Sequence, residues 1–341
     1  MEPAGVLDKL RARHDLTSDE ARDLFEALME NRLEPPMMAA VLAALAAKGE
    51  TADEIVGAAE AMRRHALPVR LPPGVNAIDT CGTGGDGKPI FNVSTAVAIV
   101  VAAAGATVAK HGNRSNARPS GSAEVLHALG VNIDADVPTL ERCLERCRVA
   151  FLYAINLHPA MKHAAPIRRS LGVRTIFNLV GPLTNPAGVR RQLLGVNRPE
   201  LVETMLMSLR RLGAERAMVV HGLEGLCDLS VAGPSRAGRW DGQRMTFEDV
   251  DCRVIAAAPG NLGQLNVSSP EESAAIIRAV LDGRPGPARD MVVLNAAAAL
   301  WVAGMSNDWT DGARRAREAI DSGAARATLA EWVRLSHQAG P

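Results

Sequence analysis

Apolar and polar positions along the chain follow two rhythms, and the change falls near residue 70. From Val6 to about Leu67 apolar residues recur at helical spacing, which predicts a small all-helical unit. Leu16-Thr17-Ser18-Asp19-Glu20 supplies a cap with an acidic first turn. Met37 to Ala47 is an apolar stretch of strong helix formers behind Pro35-Pro36, and Thr51 caps a further helix carrying Ile55, Ala58, Ala59 and Met62. Pro68, Pro72, Pro73 and Gly74 then read as a hinge.

Beyond the hinge, short apolar runs alternate with helical ones, the pattern of a parallel sheet with crossover helices. Strands are expected at Asn76 to Asp79, Ala106 to Lys110, Val149 to Ala154, Gln192 to Val196 and Arg216 to His221. Helices are expected at Ser94 to Ala104, Ser122 to Leu129, Pro138 to Arg146 and Pro199 to Leu212, with three more from Pro270 onward. The predicted class is α/β. A helical domain spans residues 1–70, with helices from about 158–185 packed on it, and a larger, mainly parallel-sheet domain with flanking helices spans 71–341.

Composition narrows the function classes. Lys plus Arg equals Asp plus Glu, 38 each, so no global charge draws the chain to nucleic acid or an anionic membrane, and any anion site is local. No apolar run approaches the roughly 18 residues of a membrane span, and Met1-Glu2-Pro3-Ala4-Gly5 lacks the basic-then-apolar pattern of a secretory leader. A cytoplasmic protein is expected. Five cysteines without paired spacing suit a reducing compartment, and Cys143 and Cys147 read as buried small hydrophobes ahead of a zinc half-site.

Two loops carry the chemistry. The first expected strand runs into Thr80-Cys81-Gly82-Thr83-Gly84-Gly85-Asp86-Gly87, where clustered glycines let the backbone turn sharply and present amides to an anion. A plain tight turn would ask for the same glycines. Asn92-Val93-Ser94-Thr95 then opens a helix, whose N-terminus favours phosphate. The next strand leads into Lys110-His111-Gly112-Asn113-Arg114-Ser115, and Ser120-Gly121-Ser122-Ala123-Glu124 starts a helix. Open α/β sheets bind ligands beyond the carboxyl ends of adjacent strands, so the two loops are expected to face each other.

Together these segments resemble the phosphoribosyl pyrophosphate site of the anthranilate phosphoribosyltransferase family. His158-Pro159-Ala160-Met161 through Arg168 to Arg174-Thr175-Ile176-Phe177-Asn178-Leu179-Val180-Gly181-Pro182-Leu183-Thr184-Asn185-Pro186 is similar to that family's longest signature. The resemblance implies donor contacts from Gly82, Gly85, Asp86, Asn92, Ser94, Thr95, Lys110 and Ser122, with Arg118 an added cation near the phosphates. It implies an anthranilate pocket from Gly82, His111, Asn113, His158, Arg168 and Pro182, although His158 alone reads equally well as a satisfied helix-start histidine. Magnesium would be held by Ser94 and by the segment containing Glu224, Cys227 and Asp228. A homodimer joined through the helical domain is also implied.

The sequence departs from that pattern in places. Cys227-Asp228 stands where the family has Asp-Glu, and a thiol is a poor magnesium ligand. Ile90 replaces a threonine, Asn116-Ala117-Arg118-Pro119 a serine-rich stretch, and Ile155 a proline. The chemistry expected is transfer of phosphoribose to anthranilate, giving phosphoribosyl anthranilate and pyrophosphate in tryptophan biosynthesis. A same-fold enzyme with another aromatic or nucleobase acceptor is one alternative. A non-catalytic paralogue binding nucleotides or nucleic acid is another, disfavoured by zero net charge and few aromatics.

Overall fold

The computed structural model of the chain describes residues 3–115 and 119–338. Four helices, Pro3–Arg11, Ser18–Met29, Pro35–Lys48 and Ala52–Arg64, form the N-terminal unit. Thr17 and Thr51 each close a capping box with the glutamate three residues on, which fixes where the second and fourth helices begin. The second of those glutamates, Glu54, is fully buried and accepts from the Leu16 and Thr51 N–H groups and the Lys48 ammonium. Ser18–Met29 and Ala52–Arg64 press together at Gly57, where an added Cβ would lie 2.2 Å from the Ser18 carbonyl oxygen.

Among the described residues the sheet has seven strands in the order β3-β2-β1-β4-β5-β6-β7. Five run parallel: β1 Ala77–Gly82, β2 Thr107–Gly112, β3 Val149–Tyr153, β4 Arg191–Gly195 and β5 Arg216–Gly222. Their interiors are buried and mostly apolar, as strands covered on both faces require, with Asp79 and Thr80 on β1 and Lys110 and His111 on β2 among the polar exceptions. β6 Ser235–Trp240 and β7 Met245–Val250 extend the sheet antiparallel. They went unread in the sequence because Arg236, Gly238 and Arg239 dilute the apolar signal; in the fold Arg236 pairs with Asp249 and Arg239 with Glu248 across the hairpin. Among the described residues from Pro270 there are four helices rather than three, Pro270–Leu281, Pro287–Ala303, Trp309–Asp321 and Ala324–Ser336. The last two are parted only by Ser322 and Gly323, a break too short to read from composition.

Two cores organise the molecule. The larger packs helix Val93–Ala103 and the C-terminal helices on one side of the sheet. The other joins the N-terminal helices to Leu194, Val196, Ala217 and Val219 of the β4–β5 region and to helix Leu201–Arg211. Helices Ala165–Leu171 and Phe177–Val180 belong to the same region, and Ala164, Ile176, Phe177 and Leu179 enter this second core. Among the described residues no helix is long and apolar enough to cross a membrane.

Gly57→Ala forces a methyl group into the Ser18 backbone and is expected to cost about 1–3 kcal/mol. Urea unfolding measures it; an unchanged midpoint would mean the two helices separate without penalty.

Candidate active site

β1, β2, β4 and β5 are parallel, so their carboxyl ends lie along one edge of the sheet. β1 leaves that edge through the glycine turn, where Gly84, Gly85 and Gly87 take φ of 62°, 75° and 65°, values a side chain would strain. The turn is tied down from two sides. Asn197, just past β4, donates Nδ2 to the Gly85 carbonyl at 3.2 Å, and Asp86 accepts the Cys227 N–H at 3.1 Å. Gly195 makes this possible: a Cβ there would fall 1.6 Å from the Cys227 carbonyl oxygen, so backbone packs directly on backbone.

The helix that follows begins at Asn92, whose Oδ1 accepts from the Thr95 N–H at 3.0 Å and the Ser94 hydroxyl at 3.2 Å. Lys110, on β2, is fully buried and donates to the Thr80 carbonyl at 2.6 Å and to Ser94 Oγ at 3.0 Å. Asp79, equally buried on β1, accepts the His111 N–H at 3.0 Å and Asn185 Nδ2 at 2.9 Å. Burial pushes the Asp79 carboxyl up to about 6, although Lys110 pulls against it. Burial also lowers the Lys110 ammonium, with Asp79, Cys81 and Asp228 opposing. Both shifts run towards neutrality, so removal from water outweighs the attraction.

Ser94, Thr80, Cys81, Cys227, Asp228 and Asn295 border a cavity of about 10 Å³ under the turn, room for about one water. Asn295 fixes this wall by bonding both the N–H and the carbonyl of Leu229, each at 2.9 Å. The Cys227 sulfur lies 3.9 Å from Thr83 Oγ1 and 3.7 Å from the Gly84 carbonyl. Glu224 is drawn towards Ser230, whose hydroxyl it accepts at 3.0 Å.

On the other side of Lys110, His111 and His158 are buried with their Nε2 atoms 3.2 Å apart. One must donate and the other accept, so at most one ring can carry an extra proton, and burial holds both neutral. Burial pushes His111 down to about 3, with His158 adding to the effect, and His158 down to about 4. His111 also bonds the Gly181 backbone, beside Pro182. Arg168, on helix Ala165–Leu171, lies over the Phe177 ring at 5.2 Å. Asn113 is exposed at the end of β2 and accepts the Arg114 N–H at 2.7 Å, and Ser122 opens helix Ser122–Leu129. Arg118 lies outside the described residues. Ile90 is a core residue bridged to Asn266, so the missing hydroxyl there is an apolar packing contact.

The structure thus gathers Gly82, Gly85, Asp86, Ser94, Lys110, Cys227 and Asp228 around the turn, and His111, His158 and Pro182 beside it. Glu224 bonds within the β5–β6 connection. Sequence reading missed Asp79, Asn185 and Asn295, which hold these groups in place. A carboxylate inside an apolar strand was the available signal for Asp79.

Comparison with known proteins gives the arrangement its relatives. Residues 74–326 match the α/β domain of the glycosyl transferase family and residues 4–66 its helical bundle domain. The anthranilate phosphoribosyltransferase of Nitrosomonas europaea is 42% identical over 338 residues, 99% of each chain. The chain belongs to the anthranilate phosphoribosyltransferase family. The enzyme of that name from Thermomicrobium roseum is 46% identical, covering 97% of this chain and 96% of the relative. The crystal structure of the Thermus thermophilus enzyme superposes with a TM-score of 0.92 at 40% identity, covering 98% and 99% of the two chains. The Saccharomyces cerevisiae enzyme in complex with PRPP and Mg superposes at 0.88 with 26% identity, covering 98% and 97%.

The two histidines set an acid limit. Their folded values lie below the ordinary 6.5, so the unfolded chain takes up protons first, and stability present above pH 6.5 is lost as pH falls towards 4 and 3. Between pH 6.5 and 5 the loss is about 2 kcal/mol per histidine. Asp79, raised to about 6, works in the opposite sense in both proteins of a comparison. His158→Gln is expected to lose less stability than wild type between pH 7 and 5, by about that amount, in urea titrations; equal losses would contradict a buried neutral His158.

Proposed function

We propose that the protein transfers phosphoribose from phosphoribosyl pyrophosphate to anthranilate, releasing N-(5-phosphoribosyl)anthranilate and pyrophosphate, in tryptophan biosynthesis. The observation that carries the reading is the glycine turn with Lys110 and Ser94 beneath it, in a chain alike to anthranilate phosphoribosyltransferases over nearly its full length. In this reading Gly82, Gly85, Asp86, Asn92, Ser94, Thr95, Lys110 and Ser122 hold the donor, Arg118 adds a cation, and the acceptor meets Gly82, His111, Asn113, His158, Arg168 and Pro182.

The anthranilate amine attacks the anomeric carbon, the bond from that carbon to the pyrophosphate oxygen breaks, and the amine gives up a proton. Charge builds on the leaving diphosphate. Turn amides and the Lys110 ammonium, already fixed by Thr80 and Ser94, meet that charge without rearranging. Arg168 faces the acceptor carboxylate and Asn113 orients the amine. The neutral His111–His158 pair gives the acceptor an uncharged polar wall. An aromatic amine held in line needs no strong general base.

Magnesium fits as an ion shared with the diphosphate. Ser94 and Asp228 border one cavity, whereas no cluster of three acidic, histidine or cysteine ligands forms at the turn among the described residues. Magnesium commonly binds through one or two protein oxygens plus substrate phosphates. Bound there, it would neutralise the leaving pyrophosphate, with Ser94 and Asp228 as ligands, Cys227 a poor one, and Glu224 held by Ser230. The same reading includes domains of 1–70 and 71–341 and a cytoplasmic homodimer joined through the helical domain, supported by family likeness; light scattering at twice the chain mass tests the dimer.

Loss of anthranilate fluorescence on mixing with donor and magnesium is the direct assay. Donor binding without turnover would sink the anthranilate assignment and point to another aromatic or nucleobase acceptor. Cys227→Asp combined with Asp228→Glu is expected to lower the magnesium concentration for half-maximal rate by about threefold or more. An unchanged requirement would show that this segment does not hold the ion.

A further inference from the structure

The glycine turn is approached from the helical side by a cation that the donor contacts above do not include. Arg174 lies between helices Ala165–Leu171 and Phe177–Val180, on a segment whose next residues, Thr175 to Phe177, are buried. Its Nε is 4.0 Å from the position of a Cβ on Gly85, within van der Waals reach of the turn. That Nε is buried and has no hydrogen-bond partner. On the same glycine sits Asn197, which donates to the Gly85 carbonyl while its Oδ1 is likewise buried and unpartnered. Unused bonding capacity on a buried guanidinium N–H is costly unless a ligand meets it.

The surrounding charges favour an anion. Arg198 repels Arg174 and is exposed, while Glu50, in the turn between helices Pro35–Lys48 and Ala52–Arg64, attracts both arginines. Two cations face one carboxylate. A guanidinium in this position presents a fork of donors that matches diphosphate oxygens.

We propose that Arg174 is a further donor-binding residue, taking a pyrophosphate oxygen over Gly84 and Gly85, so that bound diphosphate ties the helical side of the molecule to the sheet edge. Glu50 serves as its counter-ion before the donor arrives. The proposal rests on the phosphoribosyl transfer reading.

The test is calorimetric titration of wild type, Arg174→Gln and Arg174→Lys with phosphoribosyl pyrophosphate, inorganic pyrophosphate and ribose 5-phosphate, without acceptor. Losing a charge-assisted contact is expected to weaken phosphoribosyl pyrophosphate and inorganic pyrophosphate about 10- to 100-fold in Arg174→Gln and less in Arg174→Lys. Ribose 5-phosphate affinity and the anthranilate KM at saturating donor should stay within about twofold. Diphosphate affinity within about threefold of wild type in both variants overturns the proposal, as does equal weakening of all ligands, the mark of a merely structural arginine. Wild type that fails to bind phosphoribosyl pyrophosphate overturns the transferase reading instead.

Discussion

The site is built around two opposite charges buried in neighbouring strands. Asp79 on β1 and Lys110 on β2 have no access to water, and each must find its polar partners inside the protein. Those partners reach into four parts of the chain: the Thr80 carbonyl, the Ser94 hydroxyl at a helix start, the His111 backbone and Asn185. Satisfying the pair therefore fixes how β1, β2, the helix Val93–Ala103 and the segment after Pro182 meet. Loss of either member would leave the other stranded, an effect of about 3–5 kcal/mol in buried pairs.

This constraint has a chemical return. A lysine held by a carbonyl and a hydroxyl is aimed before any ligand arrives, and a preorganised cation stabilises developing charge without reorganisation. Asn185 also donates to the Ala109 carbonyl at 2.8 Å, joining the acceptor-side signature to the strand that carries the cation. β1, β2 and the segment after Pro182 are thus parts of one hydrogen-bonded unit.

The glycines act by close approach. Gly195 and Gly82 let β1, β4 and the Cys227 backbone come together, and Gly57 does the same between two helices far from the site. The helical unit shares its core with one face of the sheet, and Arg63 extends the join by donating to the carbonyls of Leu183 and Leu212. The hinge prolines therefore separate two patterns of sequence more than two independent bodies of packing. Asp86 binds the Cys227 backbone N–H, so this tie does not depend on the side chain at position 227.

The sequence by itself determined the class of fold, the parallel strands and the two loops that follow β1 and β2 at one edge of the sheet. These are local matters: periodicity records burial, capping boxes mark helix starts, and glycines at positive φ are set by neighbouring backbone sterics. It also displayed the family signature, and with it the reaction. Only the tertiary structure decided that Asp79 sits next to Lys110, that Asn197 braces the turn and Asn295 the Leu229 backbone, that Ile90 is core, and that Arg174 leans over Gly85. Those relations join residues tens to hundreds of positions apart, and no local pattern encodes which distant side chain will satisfy a buried charge. The antiparallel hairpin β6–β7 escaped for a related reason: the arginines of β6 become strand residues only through carboxylates on β7.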